Sequence, residues 1–392
     1  MDGDLARHWT LDPQVEFLNH GSFGACPTRI LAVQQELRAR MERQPVLFLA
    51  RELENLLDGA RTGLAAFLDS DADDLAFVPN ATTGVSTVVR SLRFGPGDEL
   101  LTTDHAYNAC RNALHAAEQS GARVVTAAIP WPGATPAQVV DTVLGAVTPR
   151  TRLALIDHVT SPTGLIFPID ALVRALDQRG VDTLVDGAHA PGMLPVSLRG
   201  IGAAYYTGNC HKWLCTPKGS GFLHVRRDRQ DRMLPLAISH GFNSNRTDRS
   251  RFRLLFDLGG TDDPTPFLCI PEAIRFFGTL LPGGWPELMR RNRARALEGR
   301  AILCDSLRIP VPAPEEMIGS LASVPLPDST GPLPDPGSLH DPLQRRLYER
   351  DHIEVPVYTF PKHPRRLVRI SAQLYNSREQ FEHLARALAA SL

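Results

Sequence analysis

The chain has 392 residues, 42 Lys plus Arg against 43 Asp plus Glu, and a formal net charge of −1. That length allows a large core and two domains, and a near-neutral chain without a sustained basic block offers no electrostatic footprint for nucleic acid. Six cysteines at 26, 110, 210, 215, 269 and 304 form no CxxC pair, the N-terminus lacks an apolar signal core, and no apolar run reaches a membrane span, so the expectation is a protein of the reducing cytoplasm with no membrane partner.

From about residue 75 to 225, short apolar runs alternate with amphipathic stretches of helical length. LAFVPN (75–80), ELLTT (99–103), RVVTAAI (123–129), RLALIDH (152–158), DTLVDGA (182–188), AAYYTG (203–208) and GFLHV (221–225) read as strands. Segments 83–93, 107–120, 136–146 and 168–179 read as helices. This alternation predicts an α/β fold with a mainly parallel sheet flanked by helices, and in such sheets ligands gather at the carboxyl ends of the strands. The arginine-rich connection 226–257 has no clear period and is expected to lie over the surface. Beyond 265 the pattern becomes a long helix over 285–307, a strand around 317–325, a Pro/Gly-rich loop over 326–342, a helix, two strands and a final helix, which reads as a smaller α+β unit.

The strand ends carry the chemistry. NATTG (80–84) precedes a helix expected to start near Thr83, where exposed N–H groups and hydroxyls suit a phosphate. It lacks the GK[ST] ending of a nucleotide P-loop, and Thr82 alone reads equally well as a helix cap. DHVTSPTG (157–164) offers the hydroxyls of Thr160 and Ser161. In VDGAHAPG (185–192), Asp186 ends an apolar strand, and a buried carboxylate needs a partner. A protonated ring nitrogen, such as the pyridinium of pyridoxal phosphate, would serve; so would the next turn, if Asp186 only caps it. His189, Asp186 and His211 match no familiar zinc spacing, so no metal is expected.

The remaining group is an amine. Only three lysines occur, Lys212, Lys218 and Lys362, and two of them fall within TGNCHKWLCTPKGSGFLHV (207–225). Arginine stays protonated in proteins, whereas a desolvated lysine can lose its proton and attack a carbonyl. A phosphate cradle, a carboxylate, hydroxyl donors and an amine together form the inventory needed to hold pyridoxal 5′-phosphate as a Schiff base.

FLNHGSFG (17–24), DHAYNA (104–109), HVTSPTG (158–164), VDGAHAPG (185–192), HKWL (211–214), GTDD (260–263) and RISAQLYN (369–376) stand in the order in which the class V aminotransferase family carries them. The sequence resembles that family over nearly its whole length, its isopenicillin N epimerase branch above all. The resemblance implies fold type I of the pyridoxal phosphate enzymes: an N-terminal segment 1–30 near the active site, a large cofactor-binding domain 31–264 and a small C-terminal domain 265–392. It also implies a homodimer with shared active sites.

Residue by residue, the resemblance implies that Lys212 carries the cofactor and moves the Cα proton, while Asp186 pairs with the pyridine nitrogen and His189 lies beside the ring. Ala81 and Thr82 would hold the phosphate with help from His211 and Asn209, and Thr261 would reach the phosphate of the neighbouring subunit. Either Tyr107 or His105 would stack on the ring. Thr160 would lie near the ring hydroxyl, where cysteine desulfurases carry asparagine. Arg369 would fork onto the substrate α-carboxylate, a task for which lysine is a poorer substitute. Asn19 and His20 would contact substrate, with His20 and Tyr107 as candidates for a second acid/base. Two departures from the pattern are Cys210, read as a small buried hydrophobe, and Asp263, where relatives often have arginine.

Loss of the Cα proton is the common step, and its sequel separates the activities. Reprotonation on the opposite face gives an epimerase, expulsion of a β-substituent gives a C–S lyase, and protonation at the cofactor carbon gives an aminotransferase. A non-catalytic pyridoxal phosphate-binding protein would have no need of Lys212, Asp186 and Arg369 together.

Overall fold

The computed structural model describes residues 5–257, 259–332 and 341–392. Part of the expected loop over 326–342, residues 333–340, lies outside the described residues.

Seven strands form one sheet in the order β2-β8-β7-β6-β5-β3-β4. They are β2 (Leu75–Val78), β3 (Glu99–Thr103), β4 (Arg123–Ala127), β5 (Thr151–Asp157), β6 (Asp182–Gly187), β7 (Tyr205–Asn209) and β8 (Gly221–Val225). The pairs β4–β3, β3–β5, β5–β6 and β6–β7 are parallel, while β8 runs antiparallel to both β7 and β2. Apolar runs such as β3 are buried along their whole length, as helices on both faces require. A parallel partner needs a crossover connection, but the chain leaving β7 returns at once as β8. The connection that holds Lys212 therefore stays at the carboxyl edge, beside the ends of β5, β6 and β7.

Ahead of the sheet come β1 (Glu16–Phe17) and helices α1 (Thr28–Arg43) and α2 (Leu53–Phe67). The crossovers supply α3 (Ala81–Ser91), α4 (Asn108–Ala117), α5 (Pro136–Gly145) and α6 (Ile169–Asp177). Helix α3 starts two residues ahead of its expected position, because Asn80 caps it with Oδ1 accepting the Thr83 N–H at 2.9 Å. Residues 81–84 thus form the first helical turn instead of a loop before it.

Segment 226–257 departs from the expected surface connection. It ends in α7 (Arg251–Asp257), whose Phe252, Leu254 and Leu255 are buried. The lack of a clear period follows from burial of consecutive residues, and Asp257 pairs with Arg61 and Arg253 beneath them.

The C-terminal part contains α8 (Ile270–Leu280), α9 (Gly284–Leu307), β9 (Leu321–Leu326), α10 (Pro342–Asp351), β10 (Ile353–Glu354), β11 (Val357–Thr359), β12 (Arg366–Ser371) and α11 (Arg378–Ala389). Three strands lie between α10 and α11 where two were expected. The extra one, β10, is only two residues long and therefore carries no period; it pairs with β1 in parallel. That pairing, with Ser371 N–H donating to Leu18 O at 2.9 Å, ties the N-terminal segment to β12 and brings residues 19–24 beside Arg369. One apolar cluster runs continuously through both parts of the chain, including Val185, Trp213, Leu321, Ile370 and Phe381.

Helix α3 approaches β7 so closely that a Cβ on Gly84 would stand 2.1 Å from Thr207 Oγ1. Gly84→Ala should therefore destabilise the protein by about 1–3 kcal/mol through overpacking, seen as a lower urea midpoint at unchanged slope. A midpoint equal to that of the parent would contradict the close contact.

Candidate active site

A cavity of about 720 Å³ opens at the carboxyl edge of the large sheet. Asp157 and Asp186 come to it from the ends of β5 and β6, Lys212 from the β7–β8 connection, Thr82 from the first turn of α3, Tyr107 from the cap of α4, and Ser22 from the N-terminal segment. Backbone packing fixes the lysine from behind. Gly24 has φ +71°, and a Cβ there would stand 2.1 Å from His211 O and 2.9 Å from Lys212 O, so only glycine lets the N-terminal segment lie against this peptide.

Lys212 Nζ lies 3.2 Å from His189 Nε2, and the Trp213 indole donates to His189 Nδ1 at 3.4 Å. An indole N–H only donates, so Nδ1 is the acceptor and the neutral imidazole carries its proton on Nε2. That proton needs an acceptor at Nζ, which an uncharged amine supplies. The electrostatics agree: burial, then the Arg369 charge, pull Lys212 down to about 8 against the opposing charge of Asp186. Burial, first of all, holds His189 well below its usual value, so the ring stays neutral. His211 donates from Nδ1 to Ser220 O at 2.8 Å and is lowered to about 4, by burial first.

At the start of α3, the Ala81 N–H is taken by Asn209 Oδ1 at 2.8 Å. The Thr82 N–H has no protein partner among the described residues, and it sits at the positive end of an eleven-residue helix. Of the two expected phosphate donors, Thr82 is free to bind an anion and Ala81 is not; Asn209 anchors the turn.

Arg369 is fully buried in β12. Its Nη1 donates to Ser161 O at 2.5 Å and its Nη2 to Ser22 Oγ at 3.2 Å, Tyr358 lies under the guanidinium at 5.1 Å, and Nε is unpartnered. No carboxylate pairs with it among the described residues. A buried cation left without an anion is costly, and an anionic ligand between Ser22 and Ser161 would relieve it. Asn19 acts on this arrangement indirectly, since its Oδ1 accepts from Ser22 Oγ at 2.5 Å while its Nδ2 donates to Glu354.

Three expected site residues, His20, His105 and Thr160, lie outside the cavity, and Thr261, expected at the neighbouring subunit's site, lies apart from it. His20 is buried behind Lys212, with Nε2 on Lys212 O at 3.0 Å and Nδ1 on the Tyr375 hydroxyl at 2.8 Å, so neither nitrogen is free for substrate or for proton transfer. His105 is also buried, bonded to Thr163 and Ile129 O and packed on Phe360, while Tyr107, 46 % exposed, stands in the cavity wall. The Thr160 hydroxyl is spent on the Leu165 N–H and on Thr163 Oγ1, and the cavity is lined instead by Val159 and Ser161. Thr261 is exposed in a separate cleft beside Asp262 and does not reach the cavity of its own chain. Cys210 is fully buried in the apolar cluster, as read.

Sequence reasoning missed Asp157, Ser22, Trp213 and Cys110. Asp157 had the same signal as Asp186, an acid closing an apolar run. The other three are recognisable only by contacts that bring distant segments together.

The family model "Aminotransferase class-V" matches residues 26–253. The chain is 35% identical to isopenicillin N epimerase of Streptomyces clavuligerus, covering 97% of this chain and 96% of that protein. It is 31% identical to a probable chloroplastic L-cysteine desulfhydrase of Arabidopsis thaliana, covering 99% and 84%. Among solved structures, a variant of C-DES with glycine covalently linked to its PLP cofactor superposes with a TM-score of 0.79 at 21% identity, covering 96% of this chain and 97% of that one.

The lowered Lys212 value gives a direct expectation. In the cofactor-free protein, acylation of Lys212 by an amine-selective reagent, followed by peptide mapping, should rise with pH through a midpoint of about 8, because only the uncharged amine reacts. A midpoint at the ordinary lysine value of about 10.4 would contradict the desolvated site.

Proposed function

Because the chain belongs to the class V aminotransferase family, we propose that it is a pyridoxal 5′-phosphate-dependent enzyme of fold type I. It abstracts the Cα proton of an amino acid or amino-acid derivative and returns a proton on the opposite face, as an isopenicillin N epimerase-like isomerase. The observation that carries this reading is a buried, readily uncharged Lys212 sharing one site with a buried Arg369 that has no anionic partner.

The residues present fit the cofactor. The cavity has an unpartnered Thr82 N–H at a helix start, a buried carboxylate on Asp186 and an amine on Lys212. Thr82, with His211 and the turn anchored by Asn209, would hold the phosphate; Asp186 would face the ring nitrogen; Tyr107 would cover the ring; Lys212 would hold the group covalently. When bound, pyridoxal phosphate supplies an electron sink for the charge left at Cα as its proton departs.

The chain's own groups do the rest. Arg369, oriented by Ser161 and by Ser22 under Asn19, would take the α-carboxylate and so fix which Cα bond is presented to Lys212. Lys212, with a value near working pH, suits proton transfer in both directions. With both nitrogens of His20 committed, Tyr107 is the remaining candidate for the opposing acid, and partial burial in the cavity wall raises its phenol so that it stays protonated. The six free cysteines fit a reducing cytoplasm. In a homodimer, Thr261 would complete the phosphate site of the partner chain.

A second reading, β-elimination by a C–S lyase, is favoured by the likeness to L-cysteine desulfhydrase. Incubating the holoenzyme with L- and D-amino acids and cysteine conjugates in deuterated water separates the two. Epimerisation predicts Cα deuterium in both configurations without pyruvate; elimination predicts pyruvate, ammonia and thiol. Absence of Cα exchange across the panel would contradict both.

Arg369→Lys should lower kcat/KM by roughly 10- to 100-fold for α-carboxylate substrates, the range for a lost charged hydrogen bond. An unchanged value would remove Arg369 from the substrate site. Mixing Thr261→Val and Lys212→Ala chains should partly restore activity, because mixed dimers hold one site with both lesions and one with neither. No restoration in verified mixed dimers would contradict shared sites.

A further inference from the structure

The cavity wall carries a second buried acid that the reading above leaves unused. Asp157 and Asp186 are direct register partners on adjacent parallel strands, so their side chains leave the same face of the sheet from backbones about 4.8 Å apart. Asp157 is 2 % exposed and Asp186 3 %. Asp186 is well served: Oδ1 accepts the Ala188 N–H at 3.0 Å and Oδ2 the Cys110 thiol at 3.1 Å. Asp157 has backbone support from Tyr107, but its Oδ2 is buried without any hydrogen-bond partner, and no cation forms a salt bridge with this residue among the described residues.

The groups around Asp157 are Asp186 from β6, Tyr107, Cys110 and Arg111 from α4 and its cap, and Lys212 from the β7–β8 connection. On its other side, β3 ends in Thr102 and Thr103, which do not titrate. Two carboxylates side by side in a desolvated wall cannot both ionise cheaply, and hydrogen bonds favour charge on the better-served one. Both oxygens of Asp186 have donors, whereas Oδ2 of Asp157 has none.

We propose that Asp157 is a positioning residue that is un-ionised at neutral pH, leaving Asp186 as the single negative charge at this end of the cavity and offering its own O–H as a donor there. Burial, then the Asp186 charge, push its carboxyl well above the usual range. The state matters for the lysine. An ionised Asp157 would raise Lys212 further, in the same direction as Asp186, and so hold the amine charged; a neutral Asp157 lets it lose its proton. The protonation state belongs to the chain alone, whereas its bearing on a ring nitrogen rests on the proposed function.

The test uses the cofactor-free full chain. Infrared spectra at pH 7 should contain the carbonyl band of an un-ionised carboxylic acid that shifts in deuterated water and is lost in Asp157→Asn. In Asp186→Asn the band should titrate away at lower pH, since the neighbouring charge is gone. Linkage gives an independent readout. The folded state of the parent keeps a proton that the unfolded state releases above the ordinary Asp value of about 4, so stability is fully present below that pH and falls as pH rises toward the folded value. The unfolding constant of the parent relative to Asp157→Asn should grow about tenfold per pH unit over that window. If Asp157→Asn does not fold, Asp157→Ser serves in both measurements. Absence of the band at pH 7, its survival in the Asp157 variants, or a pH-independent stability difference would overturn the proposal. Repeating the spectra after adding pyridoxal phosphate should leave the band in place. Its disappearance would overturn the role toward the cofactor, while failure to take up cofactor at all would count against the proposed function and leave the first result standing.

Discussion

Keeping one amine uncharged inside the protein constrains the arrangement around it. Burial alone favours the neutral amine, and the fixed charge of Arg369 reinforces it, whereas Asp186 pulls the other way. Too little negative charge would leave a cationic ring nitrogen without a partner; too much would hold the lysine protonated. One carboxylate tied down by the Ala188 N–H and the Cys110 thiol, next to another that keeps one buried oxygen without a partner, would answer both demands. The Trp213–His189 contact adds to this by fixing which imidazole nitrogen faces Lys212.

The topology delivers these groups to one place without long loops. Parallel strands β5, β6 and β7 end at the same edge, and the immediate antiparallel return from β7 to β8 keeps the lysine there. The N-terminal segment is tied to the C-terminal sheet by β1–β10 pairing, so that Ser22 meets Arg369 while Gly24 and His20 brace the peptide of Lys212. Segments hundreds of residues apart in sequence thus control the position of one side chain.

What was legible in the sequence is what local patterning encodes. Alternating apolar runs gave the parallel sheet, rare lysines pointed to Lys212, and an acid closing an apolar strand marked Asp186. The motif residues that lie outside the cavity share a cause. His20, His105 and Thr160 sit in motifs, but their polar atoms are taken by Tyr375, Ile129 and Leu165, partners that sequence spacing does not reveal. Helix α7 escaped notice because a buried helix hydrophobic on successive positions has no amphipathic period. Asp157 escaped for a different reason: its signal was as strong as that of Asp186, but it fell inside a motif read for its hydroxyls.

Attachment of the cofactor to one particular amine is the most direct consequence of this arrangement. Lys212 and Lys218 both line the cavity, so the chemistry has a choice that can be observed. Loading the protein with pyridoxal phosphate, reducing with borohydride and mapping the peptides should place the pyridoxyl group on Lys212. Finding it on Lys218, or finding none after loading, would contradict the account.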